Sequence, residues 1–296
     1  MRQPSRQPAM PDASALRARF RALHASGCFV IPNPWDPGSV RALEDLGFQA
    51  LATTSAGFAF TRGLPDDPGA LSGDDVIAHV ADVVGAATVP VNADFQAGYA
   101  TDAAGVAANV ARCAATGVAG LSIEDGAPDG SLFDLAEAVE RVQAARAAID
   151  ASGADVMLTG RAECFLTGHP DPLGEAIRRL TAYDDAGADV LFAPGVRERD
   201  HIAAIVEAVA PKPVNVLISG DIGLGVDDLA ALGVRRVSVG SALARVAWGA
   251  FLAAAQRIAS DGSFAGLDGA ASFAELNALF SKRGVAEPEP EGDRAG

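Results

Sequence analysis

The stretch Val89–Asp125, VPVNADFQAGYATDAAGVAANVARCAATGVAGLSIED, decides the fold. It holds two short β-type runs, each ending on a carboxylate, Asp94 in the first and Glu124 in the second. Between them Ala103–Ala115 is Ala-rich and amphipathic, the pattern of a helix. Strand, helix, strand with a crossover of this length is a parallel βαβ unit.

The same alternation runs outward in both directions. Strands are predicted at Phe29–Pro32, Ala50–Thr54, Pro90–Asp94, Gly120–Glu124, Val156–Arg161, Val190–Ala193, Val214–Ile218 and Arg236–Val239. Eight such units define an α/β protein of the (β/α)8 TIM-barrel class. The rival, a doubly wound open sheet, usually opens on a glycine-rich first βα turn. Here that turn is Pro32-Asn33-Pro34-Trp35-Asp36-Pro37-Gly38, which carries no dinucleotide fingerprint. Leu46-Gly47-Phe48, Thr116-Gly117-Val118, Ala186-Gly187-Ala188 and Leu232-Gly233-Val234 each place a glycine where a helix should stop before the next strand.

Residues 1–14 are polar and Pro-rich and are read as a disordered segment; residues 285–296 are read as a disordered acidic tail. Residues 15–284 form one domain, because no composition shift divides them. Past the eighth strand, Ala242–Ser260 is almost uncharged and carries Trp248, Phe251 and Leu252. A helix that apolar is expected to be covered, and a further helix near Ser272–Ser281 either closes this barrel or, the preferred reading, docks on a neighbouring subunit.

A net charge of −15 excludes a phosphate-backbone binder, so no nucleic-acid partner is expected. No apolar run is long enough to span a membrane. Cys28, Cys113 and Cys164 are scattered and suit a reducing, cytoplasmic setting. Lys212 and Lys282 are the only lysines, and neither falls at a strand's C-terminal end, which disfavours Schiff-base chemistry. The four histidines lack HxH or HExxH spacing, which disfavours a zinc hydrolase.

Barrel chemistry gathers at the C-terminal ends of the strands. That rule selects Asp94, Glu124 and Asp125, whose mutual repulsion calls for a cation or a proton. Oxygen-only donors favour Mg²⁺ or Mn²⁺. Arg161, on the apolar run VMLTGRAE, needs an anionic partner, either a substrate carboxylate or an internal one such as Glu163 or Glu124. Thr54-Ser55-Ala56-Gly57 offer backbone donors at the end of the second strand, or only a turn.

These residues together resemble the isocitrate lyase/phosphoenolpyruvate mutase superfamily. The carriers are Val89–Asp94 followed by Gly98-Tyr99, then Gly120–Asp125 and Gly160-Arg161-Ala162-Glu163, with Leu64-Pro65-Asp66 and Ala186–Asp189 in support. The resemblance implies a barrel whose last helix is exchanged within a homodimer or homotetramer. It also implies Mg²⁺ or Mn²⁺ and a small 2-oxo acid processed through its enolate. By match, Asp94 and Glu124 hold the metal largely through water, with Asn92 where the family often has an aspartate. Asp66 is a supporting carboxylate and Arg161 clamps the substrate carboxylate. Thr54, Ser55, Ala56 and Gly57 donate to the oxo-carboxylate, while Trp35, Asp36 and Asn215 line the pocket.

The lyases of that superfamily carry a Lys-x-Cys-Gly-His loop after the fourth strand. Here the loop is Gly126-Ala127-Pro128-Asp129-Gly130-Ser131-Leu132, with none of those side chains. Tyr99, Glu163 and Asp125 are the candidates to manage a proton instead. The expected function is a metal-dependent C–C bond lyase acting on a small 2-oxo or dicarboxylic acid. The alternatives are a phosphonopyruvate-type P–C mutase or hydrolase, and a non-catalytic 2-oxo acid binding protein.

Overall fold

The computed structural model describes residues 12–281 of the chain. Eight strands alternate with helices: β1 (Phe29–Ile31), β2 (Leu51–Ala52), β3 (Val91–Asp94), β4 (Gly120–Glu124), β5 (Met157–Arg161), β6 (Val190–Phe192), β7 (Val214–Leu217) and β8 (Arg236–Ser238). All pairs are parallel, in the order β1-β8-β7-β6-β5-β4-β3-β2. This is the expected (β/α)8 barrel, nearly closed.

Its helices are α1 (Ala13–Ala25), α2 (Pro37–Asp45), α3 (Ser55–Thr61), α4 (Gly73–Ala86), α5 (Ala103–Ala115) and α6 (Leu135–Ser152). Then come α7 (Pro172–Asp185), α8 (Arg199–Ala208), α9 (Val226–Ala231), α10 (Ala242–Asp261) and α11 (Phe273–Ser281). Side chains start several of them: Asp36 caps α2, Ser72 caps α4 and Asp102 caps α5, each accepting from a backbone N–H of the first turn. Gly47, Gly117, Gly187 and Gly233 have φ of 88°, 97°, 99° and 89°, the left-handed turn predicted at the helix ends.

Phe20 of α1 is wholly buried and packs with Ile31, Ala50, Ala52, Met157 and Val190, side chains drawn from around the barrel. Helix α1 therefore plugs the barrel's N-terminal end. Burying such a ring stabilises by about 2–3 kcal/mol. Gly120 belongs to the same design, since a Cβ there would stand 2.6 Å from Asn92 Oδ1 and 2.8 Å from Phe20 Cε1.

One join is not a strand ladder. β1 and β2 end the sheet order, and Ala52 N–H donates to Pro32 O at 3.0 Å across the gap. Asn33 reinforces it: its Nδ2 donates to Thr53 O at 2.9 Å, and its Oδ1 accepts from Val239 N and Gly240 N at 3.0 and 2.8 Å.

Two expectations need adjustment. Helix α1 starts at Ala13, inside the segment read as disordered, because Asp12 accepts from Ser14 N and caps it. The rest of that segment and residues 285–296 lie outside the described residues. Thr54–Gly57, read as a donor-bearing turn, is instead the N-cap and first turn of a short helix, Ser55–Thr61. Among the described residues no helix is long and apolar enough to cross a membrane.

Candidate active site

A pocket of about 230 Å³ opens at the C-terminal ends of the strands. Thr54, Ser55, Ala56 and Asp66 form one wall, and Asn92, Asp94, Arg161 and Asn215 contribute from β3, β5 and β7. Its volume suits a metabolite of a few carbons rather than a drug-sized ligand.

Strand register explains the convergence. Glu124 pairs with Arg161, and Asp94 with Ser122, one residue pair lower on β4. Alternate residues of a strand face the barrel interior, so Asp94, Glu124 and Arg161 meet there. Arg161 Nη1 lies 2.8 Å from Glu124 Oε2 and 3.3 Å from Asp94 Oδ1. Its Nε bonds Glu163 Oε1, and its Nη2 donates to Glu163 Oε2 at 3.2 Å. Burial disfavours the charged guanidinium, but Glu124, Glu163 and Asp94 outweigh it and hold Arg161 above its ordinary value. The internal partners open to Arg161 on sequence grounds are the ones it has.

One guanidinium serves several carboxylates, and the surplus is visible in their acidities. Burial pushes Glu124 up to about 8, against the pull of Arg161 and with Glu163, Asp94 and Asp125 adding repulsion. Burial also raises Glu163, and desolvation at the pocket wall with neighbouring Asp94 raises Asp66.

Asp125 is fully engaged elsewhere. Its Oδ2 accepts from Tyr183 Oη at 2.5 Å and Arg179 Nη1 at 3.0 Å, and its Oδ1 from Glu163 N at 2.8 Å. It anchors the β4 and β5 ends and is not free for chemistry.

Several expected contacts fall outside the pocket. Asp36 accepts from Ser39 N at 2.6 Å as the cap of α2, and Trp35 packs against Gly57. The Ser55 N–H is spent on Asp94 Oδ2 at 2.9 Å and the Gly57 N–H on Thr54 Oγ1 at 3.2 Å. Neither amide is free for an oxo-carboxylate. Tyr99 does not line the pocket, and its hydroxyl is buried without a hydrogen-bond partner. Glu124 and Glu163 touch the pocket through Arg161 rather than lining it.

The residues after Asp94 form a knot: Gln96 and Tyr99 have φ of 41° and 51°, and Gln96 O accepts from Glu124 N at 3.0 Å. The loop after β4 closes as a small hairpin, with Ala127 N donating to Ser131 O at 2.8 Å. It presents no acid or base to the pocket.

Sequence reasoning overlooked Ser122, Ser238 and above all Arg236, which line the pocket from below. The signal that drew attention to Arg161, an arginine on an apolar strand, applies equally to Arg236.

As for a metal, the donors near Asp94 are all oxygens, which suits a hard cation. Among the described residues no group of three or more His, Cys, Asp or Glu side chains is gathered to hold an ion directly. The carboxylate surplus, and below it the unpartnered, buried Asn92 Oδ1 two residues from Asp94 on β3, therefore fit a cation that keeps much of its water.

Fold and mouth together define a TIM barrel with an acid-rich, oxygen-donor site at the C-terminal face. The family model for phosphoenolpyruvate phosphomutase matches residues 20–259, and the chain belongs to that family, within the PEP mutase/isocitrate lyase superfamily. A solved lyase/mutase candidate from Burkholderia cenocepacia is 45% identical, with a TM-score of 0.86 over 91% of this chain and 97% of that one. Oxaloacetate decarboxylase of Pseudomonas savastanoi pv. phaseolicola is 31% identical over 211 residues, 68% of this chain and 70% of the relative. Oxaloacetate acetylhydrolase, solved with its product oxalate, is 27% identical, with a TM-score of 0.80 over 90% and 94% of the two chains.

Proposed function

We propose that this protein is a divalent-cation-dependent lyase that cleaves a C–C bond in a small 2-oxo or dicarboxylic acid through its enolate. The observation that carries the reading is the ring of Asp94, Glu124 and Glu163 around Arg161, with Asp66 on the facing wall, over a pocket of about 230 Å³. The oxaloacetate-processing relatives supply the chemical class.

Asp94 and Glu124 are the residues to hold Mg²⁺ or Mn²⁺, with Asn92 Oδ1 one layer below Asp94 on the same face of β3. A bound cation supplies electrophilic stabilisation of the enolate charge. Arg161 keeps Glu124 and Glu163 in place and offsets their repulsion. Asp66 is the pocket-lining carboxyl suited to carry the proton: desolvation and Asp94 raise it, and Ser55 hydrogen-bonds it. Tyr99 and Asp125 are excluded by burial and by prior bonding. We further propose that the chain works as a homodimer or homotetramer, supported by the apolar face of α10.

The test is a pyruvate-release assay on oxaloacetate and 2-methylmalates, and a phosphonopyruvate assay, each with Mg²⁺ and with chelator. Turnover of a C–C substrate is expected, lost with chelator and reduced at least about 100-fold in Asp94→Ala and Asp66→Asn. Turnover of phosphonopyruvate alone sinks the C–C reading. Thermal stabilisation by 2-oxo acids without any turnover favours a binding protein.

A further inference from the structure

Below the acid ring, the pocket reaches a second charged layer. Thr159 and Arg161 are two residues apart on β5 and share its interior face, a step of about 7 Å. Arg236 Nη2 donates to Thr159 Oγ1 at 3.1 Å, so its guanidinium lies one layer beneath Arg161. Arg236 is 3% exposed and lines the pocket with Asn92, Asn215 and Ser238.

Every partner of Arg236 among the described residues is neutral. Nε donates to Asn215 Oδ1 at 2.9 Å, and Asn215 Nδ2 in turn donates to Ser238 Oγ at 3.0 Å. Nη1 faces His24 Nε2 at 3.4 Å. His24 Nδ1 is 2.8 Å from Phe20 O and must carry the proton there, which leaves Nε2 as a bare acceptor for Arg236. Burial with no acid nearby holds Arg236 down at about 9. Arg161, by contrast, is matched by three carboxylates. A buried cation is costly unless an anion accompanies it. Asn92 Oδ1, also lining this part of the pocket, is likewise without a partner.

We propose that Arg236 is the anion anchor of the pocket floor, receiving the second carboxylate of a short dicarboxylic 2-oxo acid whose oxo-acid end faces Asp94 and Glu124. Neutral supports from three sides fix the guanidinium without consuming its charge, and its partner arrives with the substrate. This rests on the 2-oxo acid reading above and narrows it to dianions.

Binding of 3,3-difluorooxaloacetate, whose fluorinated carbon has no proton to lose, is compared with that of pyruvate by calorimetry in Mg²⁺. The unsubstituted protein is expected to favour the dianion by about tenfold or more. Arg236→Gln erases the preference while leaving pyruvate binding unchanged, and Arg236→Lys keeps part of it. Asn215→Asp gives Arg236 an internal counter-charge, so it also erases the preference while the melting temperature holds or rises. That variant decides the case should Arg236→Gln fail to fold, since a merely structural Arg236 predicts added stability with the preference intact. Retention of the preference in folded Arg236→Gln or Asn215→Asp overturns the anchor. Equal binding of both acids by the unsubstituted protein overturns it too but leaves the 2-oxo acid reading standing. Binding of neither acid removes both.

Discussion

Arg235 and Arg236 show why a residue's role is hard to read from its neighbours in sequence. The pair resembles a basic surface patch. Strand register separates them: Arg235 bonds Gly27 O near the surface, while Arg236 turns into the barrel. Asp94, Glu124 and Arg161 were readable because strand ends are readable, and Glu124 was open as a partner of Arg161; the third partner, Asp94, was not, since spacing along the chain says nothing of distance across the barrel. His24 was a lone histidine with no motif, and the structure gives it a measurable consequence. Burial, then the charge of Arg236, depresses it to about 3, so it is neutral when folded. The unfolded chain takes up a proton below pH 6.5 that the native state refuses, so stability is lost as pH falls from 6.5 toward 3. His79, lowered to about 4 and stacked on Phe58, acts in the same direction. His24→Gln is expected to recover about 2 kcal/mol of the loss at pH 4.5, read as a flatter urea-midpoint profile between pH 7 and 4.5. An unchanged profile would mean that His24 takes up its proton at the same pH in the folded and the unfolded chain.

At the scale of elements, the strands were predicted to within a residue or two because each is a short, mostly apolar run set between helical stretches and turn residues. The loops were not, because tertiary bonds set their shape. The knot after β3 is the clearest case. Arg141 of α6, 2% exposed, donates to the carbonyls of Ala97, Ala100 and Thr101 at 3.2, 3.0 and 2.9 Å, while its guanidinium covers the Phe133 ring. Asn109 of α5 holds Gly98 O and Tyr99 O at 3.0 and 2.9 Å. No local pattern announces a clasp made by a side chain some 40 residues on. Arg141→Met leaves three carbonyls unbonded. It is expected to cost about 2 kcal/mol and to speed amide exchange across residues 95–101 far more than in the β5 core. Uniform exchange changes would show that α6 packing, not the clasp, holds the loop.

For the whole molecule, the barrel class followed from counting alternations, but its outer surface could not be settled that way. Helix α10 buries only Ala244, while Val246, Phe251 and Leu252 are 70%, 59% and 56% exposed. Beyond it Phe264 and Phe273 are also open, and α11 rests on α2 with Phe280 beside Gly38. An apolar face of this kind on a chain of net charge −15 predicts self-association. Light scattering should give two or four times 30.0 kDa, and Phe251→Glu should shift it toward one. A wild-type mass of one chain would remove the proposed oligomer. The β1–β2 join has a different kind of consequence. Seven strand boundaries are ladders, and the eighth depends on one backbone bond and the amide of Asn33. The barrel is thus a ribbon buttoned along one edge, and the button lies beside Thr53 and Thr54, in the pocket wall. Girth at that line is set by one backbone bond and a thrice-bonded side-chain amide in place of a ladder, so a change at Asn33 loosens the circumference of the cavity without touching a single strand pair.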